Sequence, residues 1–314
     1  MYVKKIIACV MLACLVSGCK TIEKENVLSS STQQYSKLSI KQMYYSFEDN
    51  NNWYYFDKGL YKQSKKDFIT TLISNEEKFG AYCMYKDWIY YVSLNQDVVR
   101  VKTNGEEFSI ILNVKQFWEY EDEPTHGLAV FDDTLFIQMS FCLYSYNLKN
   151  KEIIKISEDA REFGILENKL YYCGRNCTIY EWDIQSETNK ALLESKDILQ
   201  EKSTNLYKNV IIVANNVYYY MRRPDGLYLF KNGESKLISN NADINEFSLF
   251  EHDNKLYYLI FYNDTNKLMQ YDPITENVKE MLVCDDYSGD PKIKNGYFYY
   301  MDSKNNIKSV KLPS

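Results

Sequence analysis

Short apolar runs alternate with polar, Asx-rich breaks along the chain, and one combination recurs. An Asx-rich turn leads to an apolar residue with two aromatics, then a short gap and a second apolar run. The copies are Trp53-Tyr54-Tyr55, Ile89-Tyr90-Tyr91, Leu135-Phe136-Ile137, Leu170-Tyr171-Tyr172, Val217-Tyr218-Tyr219, Leu256-Tyr257-Tyr258 and Phe298-Tyr299-Tyr300. From Tyr54 to Tyr299 the middle residues are spaced by 36, 46, 35, 47, 39 and 42 residues. A period of roughly 40–50 residues carrying several strands marks the blades of a β-propeller.

Residue types agree with that reading. Asp132-Asp133, Glu167-Asn168, Asn215-Asn216, Asp253-Asn254 and Asn295-Gly296 precede the triplets; Asn, Asp and Gly accept the left-handed angles of tight hairpins. Second runs follow, such as Leu143-Tyr144-Ser145-Tyr146 and Leu227-Tyr228-Leu229-Phe230. Further turns, explicit at Asn104-Gly105 and Asn232-Gly233, lead to outer strands such as 108–112. Lys196 to Lys202 comes nearest to a helical period, and no segment sustains one over three turns. The expectation is an all-β chain forming a single propeller of four-stranded antiparallel blades. Seven blades are expected, with six as the alternative, and the N-terminal segment should complete the last blade.

The N-terminus carries a different pattern. Lys4 and Lys5 precede an apolar run from Ile6 to Val16, the length of a signal-peptide core and too short to span a bilayer. Leu15-Val16-Ser17-Gly18-Cys19 resembles the bacterial lipoprotein signal. That resemblance implies cleavage before Cys19, a lipid thioether on its sulfur and an anchor on the outer face of the membrane. An ordinary secretory signal with a chance cysteine is the duller reading. Residues 20–37 are polar, Ser-rich and aperiodic, as a flexible tether would be. The chain therefore divides into a signal peptide (1–18), a lipidated cysteine and tether (19–37), and a propeller domain (38–314).

Composition narrows the partners. The 314 residues include 30 Tyr but only 11 Gly and 5 Pro, which favours strands. The formal net charge is −6, and losing Lys4 and Lys5 makes it more negative. Nucleic acid is an unsuitable partner for so acidic a chain. After cleavage Cys83, Cys142, Cys173, Cys177 and Cys284 remain beside Cys19. Cys173 and Cys177 flank a turn and have the spacing of a small hairpin disulfide; the other reading makes all five small strand residues.

Ile89-Tyr90-Tyr91-Val92-Ser93, followed by Val99-Arg100-Val101-Lys102-Thr103-Asn104-Gly105, resembles a blade of the YWTD type found in low-density-lipoprotein-receptor propellers. Tyr54-Tyr55-Phe56-Asp57 and Tyr299-Tyr300-Met301-Asp302 keep the tyrosine and aspartate and replace the tryptophan. Most other copies lose the aspartate too. The resemblance spans nearly the whole mature chain and implies a fold, not an activity.

Loops that join the paired runs, and those that join blades, should open on one face. The long intervals place two insertions there, one holding Trp118 and Tyr120 and one spanning Glu194 to Tyr207. Arg175, Arg222, Arg223 and the stretch 285–290 should share that side. Trp118 and Tyr120 suit stacking on a sugar or anchoring a partner; sealing the funnel against solvent is the alternative. Arg222 and Arg223 suit a carboxylate or phosphate, unless they are plain surface residues. The carboxylates from Glu119 to Glu123 offer oxygen ligands for Ca²⁺, but a solvated loop explains them as well. Asp285, Asp286, Ser288 and Asp290 lack the spacing of a calcium loop. His126 and His252 have no neighbours at metal-ligand spacing, so no metal and no cofactor are expected.

Together these features point to a lipid-anchored extracytoplasmic module, non-catalytic, whose propeller face binds a protein or peptide. A sensor or binding module for a small ligand such as a glycan is the alternative. A propeller hydrolase or lyase, with His126 beside Glu123 as base, ranks third.

Overall fold

Strands covered on both faces read as near-continuous apolar runs, and the recurring triplets occupy such strands. A computed structural model arranges the chain as seven antiparallel sheets, the blades of a propeller. It describes residues 33–34, 38, 42, 45–117, 125–174, 178–193, 208–213, 216–222, 225–231, 234–239, 249–262, 265–284 and 287–313. Blade 1 contains Phe47–Glu48, Asn52–Phe56, Leu60–Ser64 and Ile69–Ser74, from the axis outwards. Blade 2 contains Lys78–Tyr85, Trp88–Ser93, Asp97–Lys102 and Ser109–Asn113. Blade 3 runs through Thr125–Phe131, Thr134–Met139, Cys142–Asn147 and Ile153–Ser157. Blade 4 runs through Ala160–Leu166, Lys169–Gly174, Ile179–Asp183 and Thr188–Leu193. Lys208–Val213, Asn216–Arg222, Asp225–Lys231 and Glu234–Ser239 form blade 5. Phe250–His252, Lys255–Tyr262, Thr265–Asp272 and Asn277–Cys284 form blade 6. Blade 7 has Tyr287–Lys294, Tyr297–Asp302 and Ile307–Lys311.

Every triplet lies on the second strand of its blade. Side chains alternate across a strand, and here the alternation has a fixed sense. Wherever the side chains are described, the first and third residues of a triplet pack on the preceding blade and the middle one packs on the following blade. Ile89 and Tyr91 join Tyr54 of blade 1, whereas Tyr90 joins Leu135 and Ile137 of blade 3. Phe136 meets Leu170 and Tyr172, Tyr171 meets Val217, Tyr218 meets Leu256 and Tyr258, and Tyr257 meets Phe298 and Tyr300. Tyr299 then meets Trp53 and Tyr55 of blade 1. Seven blades thus share seven apolar junctions, and the last of these closes the ring.

Among the described residues the chain ends do not share one sheet as expected. The strand Gln33–Gln34, within the segment read as tether, pairs with Thr70 and Ile69 of blade 1. Among the described residues blade 7 keeps three strands. Side chains do the joining: Leu38 packs among Trp53, Tyr55 and Tyr299, with Ile307 alongside.

The short turns follow the sequence. Asp132, Asp253, Asn254, Asn295 and Gly296 adopt positive φ in hairpins between first and second strands. Four cysteines lie in strands (Cys83, Cys142, Cys173 and Cys284), while Cys177 and the stretch Lys196 to Lys202 lie outside the described residues. Burial pushes the Cys83 thiol up to about 12, so it is a packing residue rather than a nucleophile. One 3-10 turn, Val114–Phe117, interrupts the described β structure.

Candidate functional site

In an antiparallel meander alternate connections fall at opposite ends. Links from second to third strands, and from blade to blade, therefore open on one face of the ring, here the loop face. Tight hairpins between first and second strands open on the other. At the loop face the inner strands leave their ladders. Register shifts fall between Lys78 and Tyr82 in blade 2, Thr125 and Gly127 in blade 3, and Ala160 and Phe163 in blade 4. Blade 7 has two, between Tyr287 and Gly289 and between Gly289 and Lys292. Such bulges re-aim side chains and end pairing. The shifts leave Phe79, His126, Arg161, Glu162, Ser288 and Asp290 between paired positions at this end of their strands. The inner strands approach closely there, since a Cβ on Gly127 would lie 2.6 Å from the Phe163 ring.

Apolar side chains are exposed along the same rim. Phe79 is 43 % exposed, Leu94 53 % and Phe141 43 %. The Leu94 amide donates to the Glu77 carbonyl at 2.9 Å, tying the turn of blade 2 to the link from blade 1. The Ala160 amide donates to the Phe141 carbonyl, holding the blade 3 turn against blade 4. Leu94 and Phe141 stand on braced turns and Phe79 on the bulged inner strand of blade 2, and a rigid apolar rim is suited to burying a partner's surface.

Charge of the opposite sign to the whole protein gathers nearer the axis. Lys78 Nζ donates to the Gly80 carbonyl at 3.0 Å and lies over the Phe56 and Tyr82 rings. Burial, then repulsion from Lys292, lowers the Lys78 pKa. The same two causes push Lys294 down to about 8, and Glu48 opposes them in part.

Trp118, Tyr120, Arg175 and Arg223 lie outside the described residues, as do Cys19 and the acidic run from Glu119 to Glu123. Arg222 ends the second strand of blade 5, paired with Asp225 at the loop-face end. His252 Nε2 is 3.3 Å from the Asp253 carboxylate, at the opposite end of its blade. No three of His, Cys, Asp and Glu gather as metal ligands would among the described residues. A polar recess between blades 3 and 4, lined by Thr134, Asn147, Glu152, Trp182 and Glu187, has a volume of about 80 Å³. That is smaller than the roughly 150 Å³ that holds a benzene ring. Phe79, Leu94, Phe141 and the lysines carried no signal in the sequence. Bulges break the period-2 pattern of the inner strands, and the rim residues sit singly between polar neighbours.

No family description and no curated protein matches the sequence. Solved structures do resemble the fold. The computationally designed protein Ika8 aligns with a TM-score of 0.53 at 11 % identity, covering 85 % of this chain and 82 % of its own. The extracellular domain described for a hybrid two component system from B. thetaiotaomicron aligns with a TM-score of 0.52 at 15 % identity. There the alignment covers 76 % of this chain but only 34 % of that one. At such identities the likeness shows the propeller fold alone.

Proposed function

We propose that this protein is a lipid-anchored extracytoplasmic module whose loop face binds a protein or peptide without catalysing a reaction. The observation that carries this reading is the braced apolar rim of Phe79, Leu94 and Phe141 beside the bulged inner strands. Exposed aromatics on a rigid scaffold are the material of interface anchors. Trp118, Tyr120, Arg175 and Arg223, by their sequence positions between strands, and Arg222, at the end of one, are assigned to the same face. The likeness of residues 1–19 to a lipoprotein signal supports anchoring through Cys19, and the propeller fold supplies the rigid ring on which such a face is carried.

Residues 20–314 would serve as bait in a crosslinking pull-down against native envelope extract, beside two variant baits. One is Phe79→Ala/Phe141→Ala and the other is Trp118→Ala/Arg222→Ala/Arg223→Ala. A protein retained by wild type and lost from both variants is the expected result. Equal recovery on all baits moves the interface elsewhere, and an empty wild-type lane ends the proposal. Separately, Cys19→Ser is expected to abolish labelled-lipid incorporation and release the protein from membranes.

A further inference from the structure

Two lysines of blade 7 reach the segment Tyr45–Glu48, and a third, Lys78 of blade 2, lies over the rings that pack on its Phe47. Blade 1 has an inner strand of only two residues, so side chains of blades 2 and 7 close around it. Lys292 Nζ lies 5.3 Å from the centre of the Tyr45 ring. Lys294 Nζ donates to Ser46 Oγ at 3.3 Å. Lys78 sits over Phe56 and Tyr82 at 5.7 and 5.5 Å, rings that pack on Phe47 at 6.0 and 4.8 Å. Glu48 is the carboxylate of this segment, and Lys65, on the turn between the third and outer strands of blade 1, holds it at 2.7 Å. Positive charge is thus concentrated at one junction of a protein whose net charge is −6.

We propose that the junction of blades 7, 1 and 2 binds a compact oxyanion, a carboxylate or phosphate group, through Lys78, Lys292 and Lys294. Each ammonium brings three donors, and an oxyanion both accepts them and relieves their mutual repulsion. Desolvated lysines that repel one another are lowered in pKa, as Lys78 and Lys294 are. The site does not depend on the apolar rim: it needs no partner protein, and a blank pull-down leaves it intact.

Inorganic phosphate and succinate, titrated separately into the full-length protein at low salt and pH 7, test the proposal by calorimetry. At least one should bind. Lys78→Met and Lys294→Met should each weaken binding by about tenfold or more, equivalent to about 1.4 kcal/mol. Lys190→Met, on the exposed outer strand of blade 4, should not. Phosphate alone would indicate a phosphate-bearing ligand, and succinate alone an acidic peptide or metabolite. The ammonium must be protonated to bind, so affinity should fall as pH rises through about 8, where free Lys294 loses its proton. Among the described residues Lys292 and Glu48 act directly on that event, with Lys65 holding Glu48 and Lys78 acting on Lys292. Should a variant unfold, the Lys294 pKa of wild type, followed by NMR, must rise when the bound anion is added. Absence of binding by both anions at about 10 mM, undiminished binding by folded variants, or an unmoved Lys294 would each overturn the proposal.

Discussion

Whether a buried tyrosine stabilises this ring depends on the residue that stands across the ladder from it. Directly opposed side chains share a face, so the third strand can supply the middle tyrosine of a triplet with a hydrogen bond, although Tyr54 of blade 1 donates instead to Asp49 at 2.6 Å. Tyr171 faces Glu181 and donates to its carboxylate at 3.0 Å. Gln270 donates to the Tyr257 hydroxyl from the same relative position. Arg100 serves Tyr90 in blade 2. In blade 5 the opposing residue is Leu229, and the buried Tyr218 hydroxyl has no hydrogen-bond partner among the described residues. A buried hydroxyl without a partner costs stability, whereas one bonded to a charged group contributes it. Tyr171→Phe should therefore lower unfolding free energy by about 1–2 kcal/mol, while Tyr218→Phe should leave it unchanged or raise it. Urea unfolding of the two variants side by side checks the contrast.

Elements show the same logic one level up. In six blades the third-strand residue opposite the one that follows the triplet is fully buried: Leu60, Val98, Leu143, Ile179, Leu227 and Leu268. Its counterpart in blade 7, Ile307, is only half-buried. Val310 is 38 % exposed, whereas the residues in its place, Gln63, Val101, Tyr146, Trp182, Phe230 and Tyr271, are exposed by 9 % or less. A fourth strand covers those positions in the other blades, and the described part of blade 7 lacks one. Buried Ile→Ala changes cost about 2–5 kcal/mol when the cavity cannot collapse. Ile179→Ala should fall in that range, and Ile307→Ala should cost about half as much or less. If the two costs are equal, β structure beyond the described residues covers blade 7 in solution. The Asx turns between third and fourth strands are a second repeated device. Asp183 and Asp272 each accept two backbone amides, which hold both carboxyls below their usual range.

For the whole molecule, closing the ring is the decisive event. Leu38 bridges the last junction, between Tyr299 of blade 7 and Trp53 and Tyr55 of blade 1. Removing it opens a seam rather than one local contact. Leu38→Ala should cost about 2–4 kcal/mol, and the loss should show as proteolytic sensitivity in blades 1 and 7 before the other five. Uniform sensitivity around the ring would mean that closure rests elsewhere.

The sequence by itself determined the repeat, the blade count and the hairpins, because second strands bury both faces and leave an aromatic signature that no solvent-facing strand would keep. Trp53-Tyr54-Tyr55 and its six counterparts each occupy the same strand of a separate sheet. Inner strands were not legible. Residues 78–85 and 287–294 are bulged and only partly buried, so neither alternation nor a continuous apolar run marks them. Trp118, Arg175 and Arg223 lie outside the described residues, while the described strands on either side of them end at one face. Only the tertiary structure decided which way each triplet residue faces, how the last junction closes, and that Lys78 feels the charge of Lys292, which lies more than 200 positions away. A short inner strand in blade 1 draws those lysines together, and such an encounter follows from ring geometry rather than from any local pattern.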